Sequence, residues 1–255
     1  MEYRNLGNSE LNVSILSLGC LNFGMFCDQE TTTEIINTAI DLGVNCIDTA
    51  ALYGGPKGHC ETLVGKAIEG QRDKVILATK FGADSNARGS GLKGGGKRDY
   101  IVTSVEESFC RLNIDYIDLY QMHFPDNETP IDETLRALDD LVTSGKVRYI
   151  GSSNFASWQI SEAAWTSITN EVSNFVSLQT RYSILNRDME KEISCKNCGT
   201  KFFTKIVYKD SRVYTHKGQR NFHCNLRLDK VQYRNCQLCR NMKKASNFLN
   251  KRLLA

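Results

Sequence analysis

Long apolar runs, a secretory leader and the standard nucleotide-binding motifs are what this sequence lacks. No stretch of about 18 consecutive apolar residues occurs, so the sequence predicts no membrane-spanning helix and no membrane partner. The first residues do not have the basic-then-apolar order of a signal peptide, and we therefore expect a cytoplasmic protein. Hydrophobic residues make up 41% of the 255 positions, which supports a folded core rather than a disordered chain.

Neither a GxGxxG fingerprint nor a GxxxxGK[ST] motif is present, so the Rossmann and P-loop ways of binding a nucleotide are not expected. The one glycine-rich stretch, GLKGGGKR (91–98), has the composition of a phosphate loop but follows a polar segment and fits neither pattern. We interpret this stretch as a flexible, solvated loop over the top of the fold.

The net charge of +3 conceals a division of the chain near residue 193. Residues 194–255 contain 15 of the 32 Lys and Arg residues but only two of the 29 acidic ones, which leaves 17 basic and 27 acidic residues in 1–193. Half of the ten cysteines also lie in this last quarter, whereas the other five are scattered singly. The contrast predicts two segments of different origin or role, 1–193 and a basic tail, 194–255.

Apolar runs alternate with segments of helical period from residue 15 to about 193, which predicts a parallel sheet with crossover helices. Six strands are predicted, at Ile15–Gly19, Asn45–Asp48, Val75–Lys80, Tyr116–Met122, Val147–Gly151 and Ser177–Gln179. The clearest helices are Thr31–Leu42, Tyr100–Leu112, Ile131–Ser144 and Ser157–Ile168. Ahead of them, Asn8-Ser9 forms the turn of a predicted hairpin that could close the bottom of a barrel.

Four side chains that are able to carry out acid–base chemistry lie at or just beyond the ends of predicted strands: Asp48, Tyr53, Lys80 and His123. Barrel enzymes build their active sites at this end of the strands. Reduction of a carbonyl needs a hydride from one side and a proton for the developing alkoxide from the other. Tyr53 could donate that proton beside the Lys80 ammonium. Asp48 would keep Lys80 charged and oriented, and His123 could hydrogen-bond the substrate oxygen.

Each of the four residues taken alone is explained as well by a cap, a loop aromatic or a strand end. The sequence segments around these residues favour the catalytic interpretation. They are SLGCLNFG (17–24), IDTAALYG (47–54), LATKFG (77–82), DYIDLYQMH (115–123), GKVRYIGSSNF (145–155) and LQTRYSILNRDME (178–190). In order and spacing these strings resemble the landmarks of the aldo/keto reductase family. The resemblance covers residues 1–193 and implies an α/β fold, a (β/α)₈ TIM-type barrel that is incomplete after the sixth β/α unit.

The same resemblance implies NADPH as hydride donor, a small-molecule carbonyl substrate, and Tyr53 as proton donor assisted by Asp48, Lys80 and His123. It also implies that the nicotinamide carboxamide is hydrogen-bonded by Ser153, Asn154 and Gln179. Asn22 and Phe23 should border the cofactor and substrate, and Phe23, Tyr53 and Phe124 suggest an apolar pocket mouth. Ser153-Asn154 is equally interpretable as a turn, and Phe23 as a core residue.

The basic tail contains two CxxC pairs, Cys195/Cys198 and Cys236/Cys239. This spacing lets a tight turn bring two thiolates onto one metal ion, which predicts a small zinc site. The basic excess would then attract nucleic acid or an acidic partner. The alternative is that the tail derives from a frameshift, a retained intron or a mis-joined gene model, which explains the abrupt change in charge and cysteine usage.

Six strands alone would leave two unpaired sheet edges and an open barrel interior. The tail has three candidate strands and one candidate basic helix that could cover this gap: Lys201–Tyr208, Arg212–Thr215, Phe222–Leu228 and Asn241–Leu254. Two hypotheses therefore stand. The first is an NADPH-dependent reductase of aldehydes or ketones. The second is a catalytically inactive, truncated reductase that acts as a binding or regulatory protein.

Overall fold

A curled sheet of six parallel strands with helices packed on its outer face forms the body of the computed structural model. The structure describes residues 1–83 and 91–182, and the backbone of 204–207 and 222–226. The strands are β1 Tyr3–Asn5, β2 Asn12–Ser14, β3 Leu16–Gly19, β4 Cys46–Asp48, β5 Ile76–Phe81, β6 Ile117–Met122, β7 Val147–Ser153, β8 Leu178–Arg181, β9 Thr204–Val207 and β10 Phe222–Leu226. The helices are α1 Gln29–Asp41, α2 His59–Ala67, α3 Arg98–Leu112, α4 Ile131–Thr143 and α5 Ser157–Asn170.

Strands β3 to β8 pair in parallel and in chain order, as expected when a helix carries the chain back after each strand. All six predicted strands and the predicted hairpin, β1 with β2, are confirmed. The predicted (β/α)-barrel class is confirmed for this part of the chain.

Two short backbone segments close the ring. β9 runs parallel to β8, and β10 pairs antiparallel with both β9 and β3. These strands lie within the candidate strands Lys201–Tyr208 and Phe222–Leu228, so both edges of the six-stranded sheet are paired. The other two candidates, Arg212–Thr215 and Asn241–Leu254, lie outside the described residues.

Side chains alternate across the barrel wall, as they must in an extended strand. The outward-facing residues Ile47 and Leu77 are fully buried beneath α1 and α2. At the bottom of the interior, the hairpin packs against the strands through a cluster of Leu6, Leu11, Val13, Cys46, Ala78 and Leu119. Their inward-facing neighbours at the top are polar.

Helix α2 is the one described α-helix that the sequence patterns did not place. It has only nine residues, follows a Gly/Pro-rich loop and begins without a side-chain cap, so its local signals are weak. Gly65 lies inside it because α3 passes close by: a Cβ there would come within 2.4 Å of the Leu112 carbonyl oxygen. Close packing of α2 against α3 therefore explains a glycine at Gly65, although glycine disfavours a helix interior.

The glycine-rich stretch is packed rather than solvated in its second half. Gly95 and Gly96 are buried, and the Gly96 N–H donates to Asp126 Oδ2 at 3.0 Å. The Thr134 hydroxyl of α4 donates to the Gly96 carbonyl at 2.9 Å, and a Cβ on Gly96 would meet that hydroxyl at 2.5 Å. The expectation of a solvated loop is therefore wrong for these glycines, which permit close backbone approach instead.

Across residues 1–83 and 91–182 and the two tail strands, no helix is long and apolar enough to cross a membrane.

Candidate active site

Lys80, near the end of β5, lies at the centre of the polar cluster in the barrel top. Its Nζ donates to Asp48 Oδ2 at 2.9 Å, to the Thr49 carbonyl at 2.8 Å and to the Tyr53 hydroxyl at 3.3 Å. An ammonium has three donors, and three acceptors therefore match them. Both Lys80 and Asp48 are 1% exposed, so this ion pair is removed from water.

Asp48, the last residue of β4, receives further hydrogen bonds from two amides. Gln121 Nε2 donates to its Oδ1 and Gln179 Nε2 to its Oδ2, each at 3.2 Å. A buried ion pair is tolerated when additional hydrogen bonds satisfy its remaining lone pairs, which these amides do. Strands β4, β5, β6 and β8 thus meet at one carboxylate.

Tyr53 and His123 form the rim above this ion pair. The Lys80 Nζ lies 4.8 Å from the Tyr53 ring centroid. The Tyr53 and His123 rings meet edge to face, with their centroids 5.7 Å apart and an angle of 82° between the ring planes. His123 follows β6, and its ring stacks on that of Phe124 at 4.9 Å. The structure therefore brings together all four residues to which the sequence assigned chemistry.

The residues predicted to bind the nicotinamide lie at the end of β7, directly after it, and within β8. Ser153 and Gln179 are paired in register and nearly fully buried. Asn154, with a φ of 60°, connects the strands β6, β7 and β8. Its backbone N–H donates to the Gln179 carbonyl, and its Nδ2 donates to the His123 carbonyl at 2.8 Å and to the Ser153 hydroxyl at 3.0 Å.

Asn22 and Phe23 belong to the turn that follows β3. The Asn22 carbonyl accepts from the N–H groups of Met25 and Phe26, so it shapes the loop at the barrel rim. Phe23 is 3% exposed and packs in the core cluster of α1 and α2. This burial agrees with the core role left open for Phe23, whereas Phe124 stays at the rim beside His123.

A second layer of polar residues behind the site was not found from the sequence. The Cys60 thiol, in the first turn of α2, donates to the Cys20 carbonyl at 3.1 Å and lies 3.2 Å from the Thr49 hydroxyl. Burial raises the pKa of Cys60 to about 12, so the thiol stays protonated at neutral pH. The same turn holds Tyr53, because the Cys60 N–H donates to the Tyr53 carbonyl at 3.3 Å.

Glu61, the next residue of α2, is a fully buried carboxylate. It accepts from the Thr79 hydroxyl at 2.6 Å and from Arg111 Nε of α3 at 2.7 Å. Thr79 precedes Lys80 in β5, so this pair anchors the strand from its outer face. The available signal was an acidic residue among the apolar positions of α2. For Gln121, the available signal was its position two residues before His123, which places both side chains on the same face of an extended strand.

The predicted zinc ligands Cys195, Cys198, Cys236 and Cys239 lie outside the described residues, and the zinc site and the nucleic-acid contact of the basic tail stay predictions. Within the described ranges, no group of three or more His, Cys, Asp or Glu side chains is placed to hold a metal ion.

Comparison with known proteins agrees with this geometry. The family model described as the aldo/keto reductase family matches residues 16–203. The chain is 42% identical over 201 residues to the uncharacterized oxidoreductase YrpG of Bacillus subtilis (strain 168), covering 76% of this chain and 61% of that protein. It is 35% identical over 217 residues to versiconal hemiacetal acetate reductase of Aspergillus parasiticus, covering 76% and 62%.

Among solved structures, the chain is similar to the holo form of aldo-keto reductase AKR11C1 from Bacillus halodurans, with a TM-score of 0.64 and 38% identity. That match covers 75% of this chain and 61% of the other, so the chain spans about three fifths of the length of these relatives. The family match takes in every residue of the Asp48, Tyr53, Lys80 and His123 set. On this basis, the chain belongs to the aldo/keto reductase family.

Proposed function

We propose that this chain catalyses the NADPH-dependent reduction of an aldehyde or ketone to an alcohol, with Tyr53 as the proton donor. The observation that carries the proposal is the contact of one buried ammonium with both partners it needs. Lys80 Nζ lies 2.9 Å from the Asp48 carboxylate and 3.3 Å from the Tyr53 hydroxyl.

The role of Tyr53 follows from the charge beside it. When a phenol gives up its proton, it becomes an anion, and a nearby cation stabilises that anion. Lys80 supplies this cation from a buried position, where electrostatic interactions are stronger than in bulk solvent. Asp48 fixes the ammonium in place, and the proton of the Tyr53 hydroxyl passes to the oxygen of the substrate carbonyl.

His123 is assigned the second contact with that oxygen. Its ring lies beside Tyr53 on the rim, and stacking on Phe124 fixes the plane of the ring. An imidazole N–H that points at a developing alkoxide stabilises it without needing to transfer a proton. Phe124 adds an apolar surface where an uncharged substrate would enter.

The fit of NADPH rests on Gln179. Because Gln179 Nε2 donates to Asp48, the orientation of this amide is determined and its Oε1 is the free end. Within the described part of the chain, this buried Oε1 has no hydrogen-bond partner. A carboxamide NH₂ would satisfy it, and Ser153 and Asn154 adjoin the same position. When bound, NADPH would supply the hydride.

The test is a Tyr53→Phe variant assayed by NADPH oxidation with a panel of aldehydes and ketones. Loss of a general acid should lower kcat by about 10²–10⁴-fold, while NADPH binding, followed by its fluorescence, is retained. Tyr149→Phe is the matched control, because Tyr149 lies at the other end of the barrel, where its hydroxyl accepts from the Glu10 N–H. Unchanged turnover in Tyr53→Phe would contradict the proposed mechanism.

The hypothesis of a catalytically inactive binding protein makes the opposite prediction for the same titration. A folded chain, judged by circular dichroism, that neither turns over carbonyls nor changes NADPH fluorescence would support it. A parallel titration with NADH measures the cofactor preference, which the resemblance implies but no described residue addresses.

A further inference from the structure

A cavity of about 600 Å³ lies on the outside of the barrel, between the start of α4 and the first turns of α5. Its volume falls within the range of about 300–1,000 Å³ that is usual for small-molecule sites. The wall is formed by the loop from β6 to α4 on one side and by Trp158, Gln159 and Glu162 of α5 on the other.

This cavity is separate from the candidate active site. Met122 lines it, whereas the next residue, His123, belongs to the catalytic cluster. Successive residues of an extended strand point to opposite faces, so the barrel wall lies between the two. None of Asp48, Tyr53 or Lys80 contributes to the lining. The inference therefore does not depend on the proposed reductase activity.

The inner part of the cavity is apolar and includes an exposed aromatic ring. Met122 and Phe155 form its buried base, and Pro130 and Ile131 form one side. Trp158 is 57% exposed, although a tryptophan has the largest apolar surface of any side chain. An indole held open beside an apolar cavity offers its face to a ligand, and an aromatic face also attracts cations.

The polar part of the lining is acidic. Among the described residues that line the cavity, three are carboxylates, Asp126, Glu128 and Glu162, and none is Lys, Arg or His. Burial raises the pKa of Asp126, but hydrogen bonds from Thr129 and from three backbone N–H groups outweigh this and lower it, so the carboxylate is ionised at neutral pH. Glu128 pairs with Lys93 at 3.0 Å, but both are exposed and such pairs exchange readily.

Glu162 is the carboxylate best placed for a ligand. It is exposed, lies one helical turn after Trp158 on α5 and therefore on the same face of that helix. An apolar base, an open indole and a carboxylate next to it are complementary to one kind of molecule. We infer that this cavity binds an organic cation, an amine or ammonium group joined to an aromatic or alkyl body.

Calorimetric titration of the full chain with 4-phenylbutylammonium and with the uncharged 4-phenylbutanol tests this inference. The two probes have the same apolar body, so a difference between them measures the contribution of the charge. We expect the cation to bind roughly tenfold more tightly than the alcohol, as the sum of a cation–π contact and a partly exposed ion pair.

Two substitutions locate the binding. Glu162→Gln should weaken the cation about threefold and leave the alcohol unaffected. Trp158→Ala should weaken both probes, and the cation roughly fivefold or more. Glu34→Gln, which removes an exposed charge on α1, is the matched control and should change neither affinity. Each substituted side chain is exposed, so the fold should tolerate the changes.

The fluorescence of a Trp165→Phe variant gives an independent check, since Trp158 is then the only indole in the chain. The cation should change that fluorescence with the same affinity that calorimetry measures. Absence of binding, equal affinity for the two probes, or affinities that neither Trp158→Ala nor Glu162→Gln alters would each overturn the inference.

Discussion

The two ends of the barrel interior are built from the same strands but from opposite kinds of residue. At the bottom, Cys46, Ala78 and Leu119 pack against the hairpin. Two residues further along the same strands, Asp48, Lys80 and Gln121 form the hydrogen-bonded cluster of the active site. A step of two residues keeps a side chain on the same face of its strand. Each strand thus carries one residue for stability and one for chemistry, at positions that the fold keeps apart.

This comparison explains why the polar end tolerates a buried charge. The ion pair of Lys80 and Asp48 lies on top of an apolar layer that keeps water out from below, and amides from β6 and β8 satisfy the carboxylate. Removal of one member should therefore cost far more than loss of a surface ion pair, because the other charge stays buried.

The largest expected effect comes from removing one member of the buried ion pair at the polar end. Lys80→Met removes the ammonium and leaves the Asp48 carboxylate buried without a cation, which should lower the free energy of unfolding by about 3–5 kcal/mol. Urea unfolding at pH 7 measures this loss. The double variant Asp48→Asn/Lys80→Met should recover part of the stability while remaining inactive. A single variant as stable as the double one would contradict the role assigned to the buried charge.

The next largest effect tests whether the apolar end of the barrel contributes to stability and not to turnover. Leu11→Ala opens a cavity in the hairpin cluster, where Leu11 is 2% exposed, and should cost about 2–4 kcal/mol of stability. Turnover per folded molecule should stay close to that of the unsubstituted chain, because Leu11 does not contact the polar cluster. Combined unfolding and steady-state assays test both statements, and a fall in kcat without a loss of stability would contradict the separation.

The smallest effect concerns Cys60, which supports the site from behind. Its pKa is about 9 when unfolded and about 12 when folded. The folded state therefore holds the proton more tightly, and the associated stability is complete below pH 9 and declines as the pH rises towards 12. Between pH 7 and pH 10 the unsubstituted chain should lose about 1.4 kcal/mol more than Cys60→Ala. Equal losses would show that the thiol titrates normally.

Much of this arrangement is predictable from local patterns. Strand-length apolar runs and helical periods gave the order and approximate bounds of β3 to β8, and polar residues at strand ends pointed to Asp48, Lys80 and His123. These signals are local, because each lies within a few residues of its strand. The convergence of the side chains then follows from the parallel sheet.

The parts that escaped prediction depend on contacts between distant segments. Gly65 weakens the helical pattern of α2 but fits against α3, and Glu61 is buried because Thr79 and Arg111 meet it there. The packing of Gly96 depends on Asp126, 30 residues later in the chain. No pattern within one segment contains this information, so the sequence alone does not predict the packing of these residues.

Asn154 places a narrow limit on which sequences can form this site. Its φ of 60° lies in the left-handed region, which Asn and Gly adopt far more readily than other residues. Gly would keep the backbone but lose the amide that joins the ends of β6 and β7. Few side chains therefore satisfy both requirements, so random substitution at this position should yield almost no functional replacements, although Asn154 itself is exposed.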